Sequence, residues 1–301
     1  MLLLMQTMTA TNQPLVLHRE VQVTSEVLGH VFECIKQNGI PAALEQLIEA
    51  GYRPVTLPEL VRAKVNDQDD RLWNKGYTTA SEEDVGPNPK RIKIKTTDPI
   101  YALAHGKAAL LSSPQRVRTA LCKEGGLTQQ CAANFTPDEF NRVLTGHDGT
   151  FPVYTVDEYL EESKSPSFRK NTIDYVVVAP FEEMQKTVSG YQDIDNLRDN
   201  KLFIVRAGGA EQAHQLLDNV AKRYSSNEFS NRHDFQEINP EEAQGRLLHF
   251  GSFRIIELVG YGDLYYLTCI LGVREGSAAG ATQKIPAPSV EEIMRITEDL
   301  V

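Results

Sequence analysis

Apolar residues recur along the first third of the chain at intervals of three and four. Between Ser25 and Asn38 they fall at Val27, Leu28, Val31, Phe32 and Ile35, one face of a helix, and Gly39 supplies a stop. Pro41 suits the first position of a second helix that turns Leu44, Leu47 and Ile48 inward and ends at Gly51. Thr56 opens a third as N-cap, with Glu59 spaced to complete a capping box. With a short strand over Leu15 to Val23 ahead of them, these segments predict a mainly helical region over 1–65.

Periodicity fades from Asn66 to Pro89, where charged residues, Gly and Pro read as a linker or long loop over 66–89. A mixed middle region over 90–171 follows. Arg91 to Lys95 alternates basic and apolar positions, as a strand with one buried face would, and Ile100 to Ala104 is a second apolar stretch. Thr136 and Thr155, each followed three residues later by Glu, open two helices through capping boxes, and His147-Asp148-Gly149 has the composition of a turn between them.

Over 172–301 the pattern predicts a mixed-sheet domain with helical cover. Ile173 to Ala179 is a continuous apolar run of the kind found in strands covered on both faces, with short helices after it at Pro180 to Thr187 and Asp193 to Asn200. Leu202 to Val205 reads as a strand, Arg206-Ala207-Gly208-Gly209 as a tight turn, and Ala210 to Tyr224 as an amphipathic helix. Phe253 to Val259 and Leu264 to Val273 flank Gly260-Tyr261-Gly262-Asp263, which has the length and composition of a hairpin loop. Ser289-Val290-Glu291-Glu292 begins a terminal helix. The fold class is therefore α/β or α+β, helical first and mixed-sheet afterwards.

Composition narrows the function classes. The 31 Lys plus Arg face 41 Asp plus Glu, a formal charge of −10 that disfavours non-specific attraction to nucleic acid or to an anionic membrane. The apolar run from Leu264 to Val273 is about half of the roughly twenty residues that span a bilayer, so no membrane helix is expected. Cys34, Cys122, Cys131 and Cys269 form no C-x-x-C pair, which points to a reducing, cytoplasmic setting without a zinc knuckle or disulfide framework. No cofactor or metal is expected, the histidines being too dispersed for a spacing-defined metal site.

Candidate chemistry gathers at a few places. Gly208 and Gly209 can adopt conformations closed to other residues and expose N–H groups at a helix start, and Arg206 could add a bidentate contact to a phosphate or carboxylate. A tight connection that merely fits the fold is the competing reading. Lys93 and Lys95 are the candidate nucleic-acid contacts, against a solvated strand face. Tyr261 and Tyr265, with Ile293 and Met294 of the terminal helix, are candidate interface residues, against ordinary core. No set of residues completes a catalytic constellation. The expectation is a non-catalytic binding or assembly module that contacts itself or another protein, with an enzyme acting on an anionic small molecule and a nucleic-acid-binding accessory protein as alternatives.

Overall fold

The structure is a computed structural model and describes residues 16–22, 28–34, 39–66, 72–89, 94, 98–106, 110, 113–171, 174–251, 257–260 and 268–274. In chain order its elements are β1 (Val16–Gln22), β2 (Leu28–Cys34), α1 (Ile40–Glu49), β3 (Arg53–Pro54), α2 (Leu57–Asn66), β4 (Tyr77–Gly86), β5 (Ile100–His105), α3 (Pro114–Cys122), β6 (Ala133–Asn134), α4 (Pro137–Leu144), α5 (Gly146–Gly149) and β7 (Val153–Thr155). They continue with α6 (Val156–Glu162), α7 (Pro166–Asn171), β8 (Tyr175–Pro180), α8 (Phe181–Gln185), β9 (Gly190–Asp193), α9 (Ile194–Arg198), α10 (Lys201–Ala207), α11 (Ala210–Tyr224), β10 (Glu228–His233), β11 (Gln244–Phe250), β12 (Glu257–Gly260) and β13 (Thr268–Val273). The α/β or α+β class stands. The helix-first order holds only roughly, because β1 and β2 precede α1.

Among the described residues thirteen strands join one mixed sheet, ordered β1-β2-β13-β4-β11-β12-β10-β9. β4 is its joint. One edge of β4 pairs antiparallel with β11 from Tyr77 to Val85. The other is shared, with β13 at Thr78 and with β5 from Ser81 to Gly86. Beyond β5 the sheet branches to β8 and β7. Side chains alternate across this sheet between two cores. Val85, Tyr101, Leu103 and Val177 face α2, α10 and α11, while Ile100, Ala102, Val176 and Val178 face α1, α3 and α4.

Several elements differ from the pattern expected of them. The Ser25 to Asn38 segment contains strand β2, because Val31 and Phe32 are buried in opposite cores; apolar residues at adjacent positions imitate helical spacing when a strand is covered on both sides. The 66–89 linker contains β4, all ten of whose residues are buried. β12 and β13 form no hairpin: β12 pairs with β10 and β11, and β13 with β2, β3 and β4. The helices opened by Thr56, Thr136 and Thr155 are where the capping boxes place them. At the 146–149 turn Gly146, His147, Asp148 and Gly149 all have positive φ.

β4 buries Glu82, Glu83 and Asp84 in succession, each 1% exposed or less. An ionised carboxylate is costly there unless it is paired, and the three acids meet that constraint differently. Glu83 turns toward α10 and meets Arg206. Glu82 accepts the Leu110 N–H at 2.9 Å. Both Asp84 oxygens are buried without a hydrogen-bond partner beside the Glu82 and Glu83 carboxylates, a setting that favours the protonated, neutral acid. Burial and the neighbouring Glu82 and Glu83 charges hold the Asp84 carboxyl well above its usual range, against the pull of Arg246. Gly245 of β11 lies opposite Asp84, where a Cβ would collide with the carboxyl and with the Phe135 ring.

The retained proton has a measurable consequence. Above about pH 4 an unfolded Asp sheds a proton that folded Asp84 keeps, so this residue removes stability as pH rises toward its folded-state pKa, by up to about 1.4 kcal/mol per pH unit. An Asp84→Asn variant lacks that slope. Its melting temperature relative to the parent should climb between pH 4 and pH 8; a difference constant across that range would contradict the retained proton.

Candidate functional site

The helix that carries Arg206 is assembled from local signals. The Asn200 side chain accepts the Phe203 N–H at 3.0 Å, Leu202 to Ala207 are all buried, and Gly208 closes α10 in a left-handed conformation. Residues 202–205 are therefore helix and not the expected strand. A four-residue apolar run buried on all sides suits either element, and only its cap and stop distinguish them.

Arg206 is fully buried. Its Nε and Nη2 donate to Glu83 Oε1 at 2.8 Å and Oε2 at 2.6 Å, a bidentate pair. Nη1 donates to Asn231 Oδ1 at 2.6 Å and to the Arg232 carbonyl at 3.1 Å, and the Tyr101 hydroxyl donates to Glu83 Oε1 at 2.5 Å. Burial opposes the charged guanidinium, but the Glu83 carboxylate overcomes it and holds the Arg206 pKa above its ordinary value. Burial and the same carboxylate push the Tyr101 phenol well up. β12 closes over the pair at Gly260, where a Cβ would overlap the Glu83 carboxylate. One ion pair thus ties together β4, β5, α10, β10 and β12.

Polar groups continue beyond it. Arg246, also fully buried, holds Asp234 with Nε 3.0 Å from Oδ1 and donates through Nη2 to Gln244 Oε1 at 2.9 Å. Burial raises the Asp234 carboxyl despite Arg246. His233 stacks on Phe235, ring centroids 4.2 Å apart, and burial followed by the Arg206 charge pushes it down to about 4. Its Nε2 lies 3.1 Å from Thr187 Oγ1. On β5, His105 Nδ1 lies 2.6 Å from Ser81 Oγ; burial drives His105 to about 3 and, with Lys64 nearby, His249 to about 4. Ser81 is fully buried and His105 is 1% exposed, so this contact is closed to solvent.

The structure separates Arg206 from the glycine turn beside it. The Gly208 and Gly209 N–H groups both donate to the Ile204 carbonyl, ending α10, and Gly209 then leads into α11. A Cβ at Gly208 would press on Pro58, and one at Gly209 on Ser163. The Gln212 amide donates to the Ala207 carbonyl at 2.7 Å and to that of Pro58, fastening the turn to α2. Lys93, Lys95, Tyr261, Tyr265, Ile293 and Met294 lie outside the described residues. Of the cysteines, Cys131 has a positive φ of 59° and Cys269 is buried. Among the described residues no group of three or more His, Cys, Asp or Glu is arranged to hold a metal ion, and no helix is long and apolar enough to cross a membrane.

Sequence reasoning passed over Glu83, Tyr101, Asn231 and Arg246, the partners that give the network its form. The available signal was Glu82-Glu83-Asp84, separated by two residues from the β-prone Tyr77-Thr78-Thr79, with Arg206 directly after the apolar run Leu202 to Val205.

No protein-family model matches the chain, and no curated protein matches it. A solved structure does, at a TM-score of 0.58 and 20% sequence identity, over 87% of this chain and 99% of the other. It comes from a study of how massive sequence variation in Nanoarchaeota is accommodated by the C-type lectin fold. The fold here is similar to that fold. At this identity the likeness concerns architecture alone. It does place the Arg206 network inside an arrangement that another chain builds with largely different residues.

Two outcomes follow from the network. Arg206→Met leaves Glu83 buried without its partner and should cost about 3–5 kcal/mol in chemical denaturation, whereas Glu83→Leu combined with Arg206→Met should cost less than Arg206→Met alone. A double variant worse than that single one would contradict the pairing. Folded His105, His233 and His249 bind no proton until pH nears 3 to 4, while unfolded imidazole protonates near 6.5, so stability should fall as pH drops through 6.5. Their ring protons should show no NMR titration down to pH 5.

Proposed function

We propose that this chain is a non-catalytic binding module that uses the 261–267 connection to contact another protein or a second copy of itself. The fold likeness across 87% of the chain carries this reading, since the C-type lectin fold of the matched structure accommodates massive sequence variation. A scaffold with that property keeps its packing separate from the residues it displays.

Two features of this chain support such a division. β12 and β13 lie on opposite sides of the β4–β11 pair, so residues 261–267 connect strands three spacings apart, roughly 14 Å. The connection also starts immediately after Gly260, whose backbone is held against the Glu83–Arg206 pair. Tyr261 and Tyr265 supply aromatic area of the kind enriched in interface anchors.

The test replaces both tyrosines. Tyr261→Ser with Tyr265→Ser should leave unfolding free energy within about 0.5 kcal/mol of the parent and abolish the complex seen by native mass spectrometry after gentle lysis. A double variant that retains the complex, or a parent protein that is monomeric and free of any partner, would defeat the reading.

A further inference from the structure

Among the described residues, the far end of the sheet presents an open backbone edge. β9 is the last strand in the order and pairs with β10 alone among the described residues, Asp193 opposite Glu228 and Gly190 opposite Asn231. The Ile194 N–H donates to the Asn227 carbonyl at 2.8 Å, one step beyond that register. This bond fixes the phase of the ladder, since hydrogen-bonded pairs alternate along antiparallel strands. Gly190 and Gln192 therefore turn their backbone groups toward β10. Tyr191 directs both its N–H and its carbonyl outward, and Asp193 directs its N–H outward.

The side chains around this edge are unusual for a free surface. Tyr191 is 60% exposed and Val188 61%, the most exposed large apolar side chains among the described residues. Asp193 and Glu228, both exposed, stand directly opposite each other, and neither forms an ion pair among the described residues. Like charges so placed repel. Three cations are engaged elsewhere: Arg232 with Glu257, Lys186 with Glu182, and Arg198 with Asp195 and Asp218. A cation arriving on an added strand would relieve that repulsion.

We propose that the β9 edge docks an extended, basic segment of a partner protein, which adds as a strand beside Tyr191 and Asp193 with an apolar side chain against Tyr191 and a Lys or Arg beside Asp193 whose charge reaches across the sheet face toward Glu228. Main-chain hydrogen bonds supply affinity in such strand addition, and the flanking side chains supply selectivity. The four-residue length of β9 limits indiscriminate pairing, as short edges do in other sheets. The two proposals rest on different residues, so either can fail without the other.

Asp193 allows a discriminating test because its φ of −56° already suits proline. Asp193→Ala removes the carboxylate and the helix cap but keeps the outward N–H; Asp193→Pro removes all three. The probe is a Thr-flanked heptapeptide with Val and Lys two positions apart, so that both fall on one face of an added strand, with Glu in place of Lys as control, followed by amide hydrogen exchange and titration on the full chain. The Lys-Val peptide should protect the Tyr191 amide, bind Asp193→Ala more weakly than the parent, and bind Asp193→Pro about tenfold more weakly again. Glu228→Lys, which leaves the backbone of β9 untouched, should abolish binding even if the proline variant fails to fold. Equal affinity for Asp193→Pro and Asp193→Ala, equal binding of the Glu-Val peptide, or Tyr191 protection that appears on raising protein concentration without peptide would each overturn the proposal, the last in favour of a second copy.

Discussion

Moving a carboxylate and a guanidinium out of water costs several kcal/mol per ion, and the geometry of Glu83 and Arg206 is what makes that burial tolerable. The pair is bidentate, and its remaining hydrogen-bonding capacity is taken by Tyr101, Asn231 and the Arg232 carbonyl. Such a pair contributes little net stability compared with apolar side chains of the same volume. Its effect is on arrangement, because α10 in any other position would leave Glu83 buried and unpaired on β4. The same requirement fixes β12, since only a glycine at 260 fits over the pair.

β4 concentrates these demands because it joins the two branches of the sheet. Its three successive acids are reconciled with burial by three means: a guanidinium for Glu83, a backbone N–H for Glu82 and a retained proton for Asp84. Each means involves a different neighbour, so the strand is specified from α10, from Leu110 and from within itself. An apolar β4 would pack with less cost, yet it would accept shifted registers more readily.

How far the sequence could be read followed the range of the forces involved. The caps at Thr56, Thr136 and Thr155 are local hydrogen bonds, and they stand where the sequence spacing places them. The buried strand β8 was legible from its apolar run. β4 was not, since its polar residues resemble a loop until partners from 18 to 169 positions away are in place. β2 passed for a helix because both of its faces are covered, and α10 passed for a strand because its run is apolar on every side. For the candidate site, Arg206 and the two glycines were visible, but their separate duties were not: the arginine faces the sheet, while the glycines end one helix and admit Pro58 and Ser163 beside the next. The likeness to the C-type lectin fold at 20% identity fits this division, since architecture can persist while the residues that satisfy it change.

β4 and its counterions form the element on which the remaining structure depends, and native-state hydrogen exchange under mild denaturant tests that dependence most directly. The amides of Glu82, Glu83 and Asp84, and those of the Arg206 helix, should exchange only with the free energy of global unfolding. If β4 and α10 instead open together at a distinctly lower free energy while β8 stays protected, the ion pair is a peripheral tether and the account is wrong.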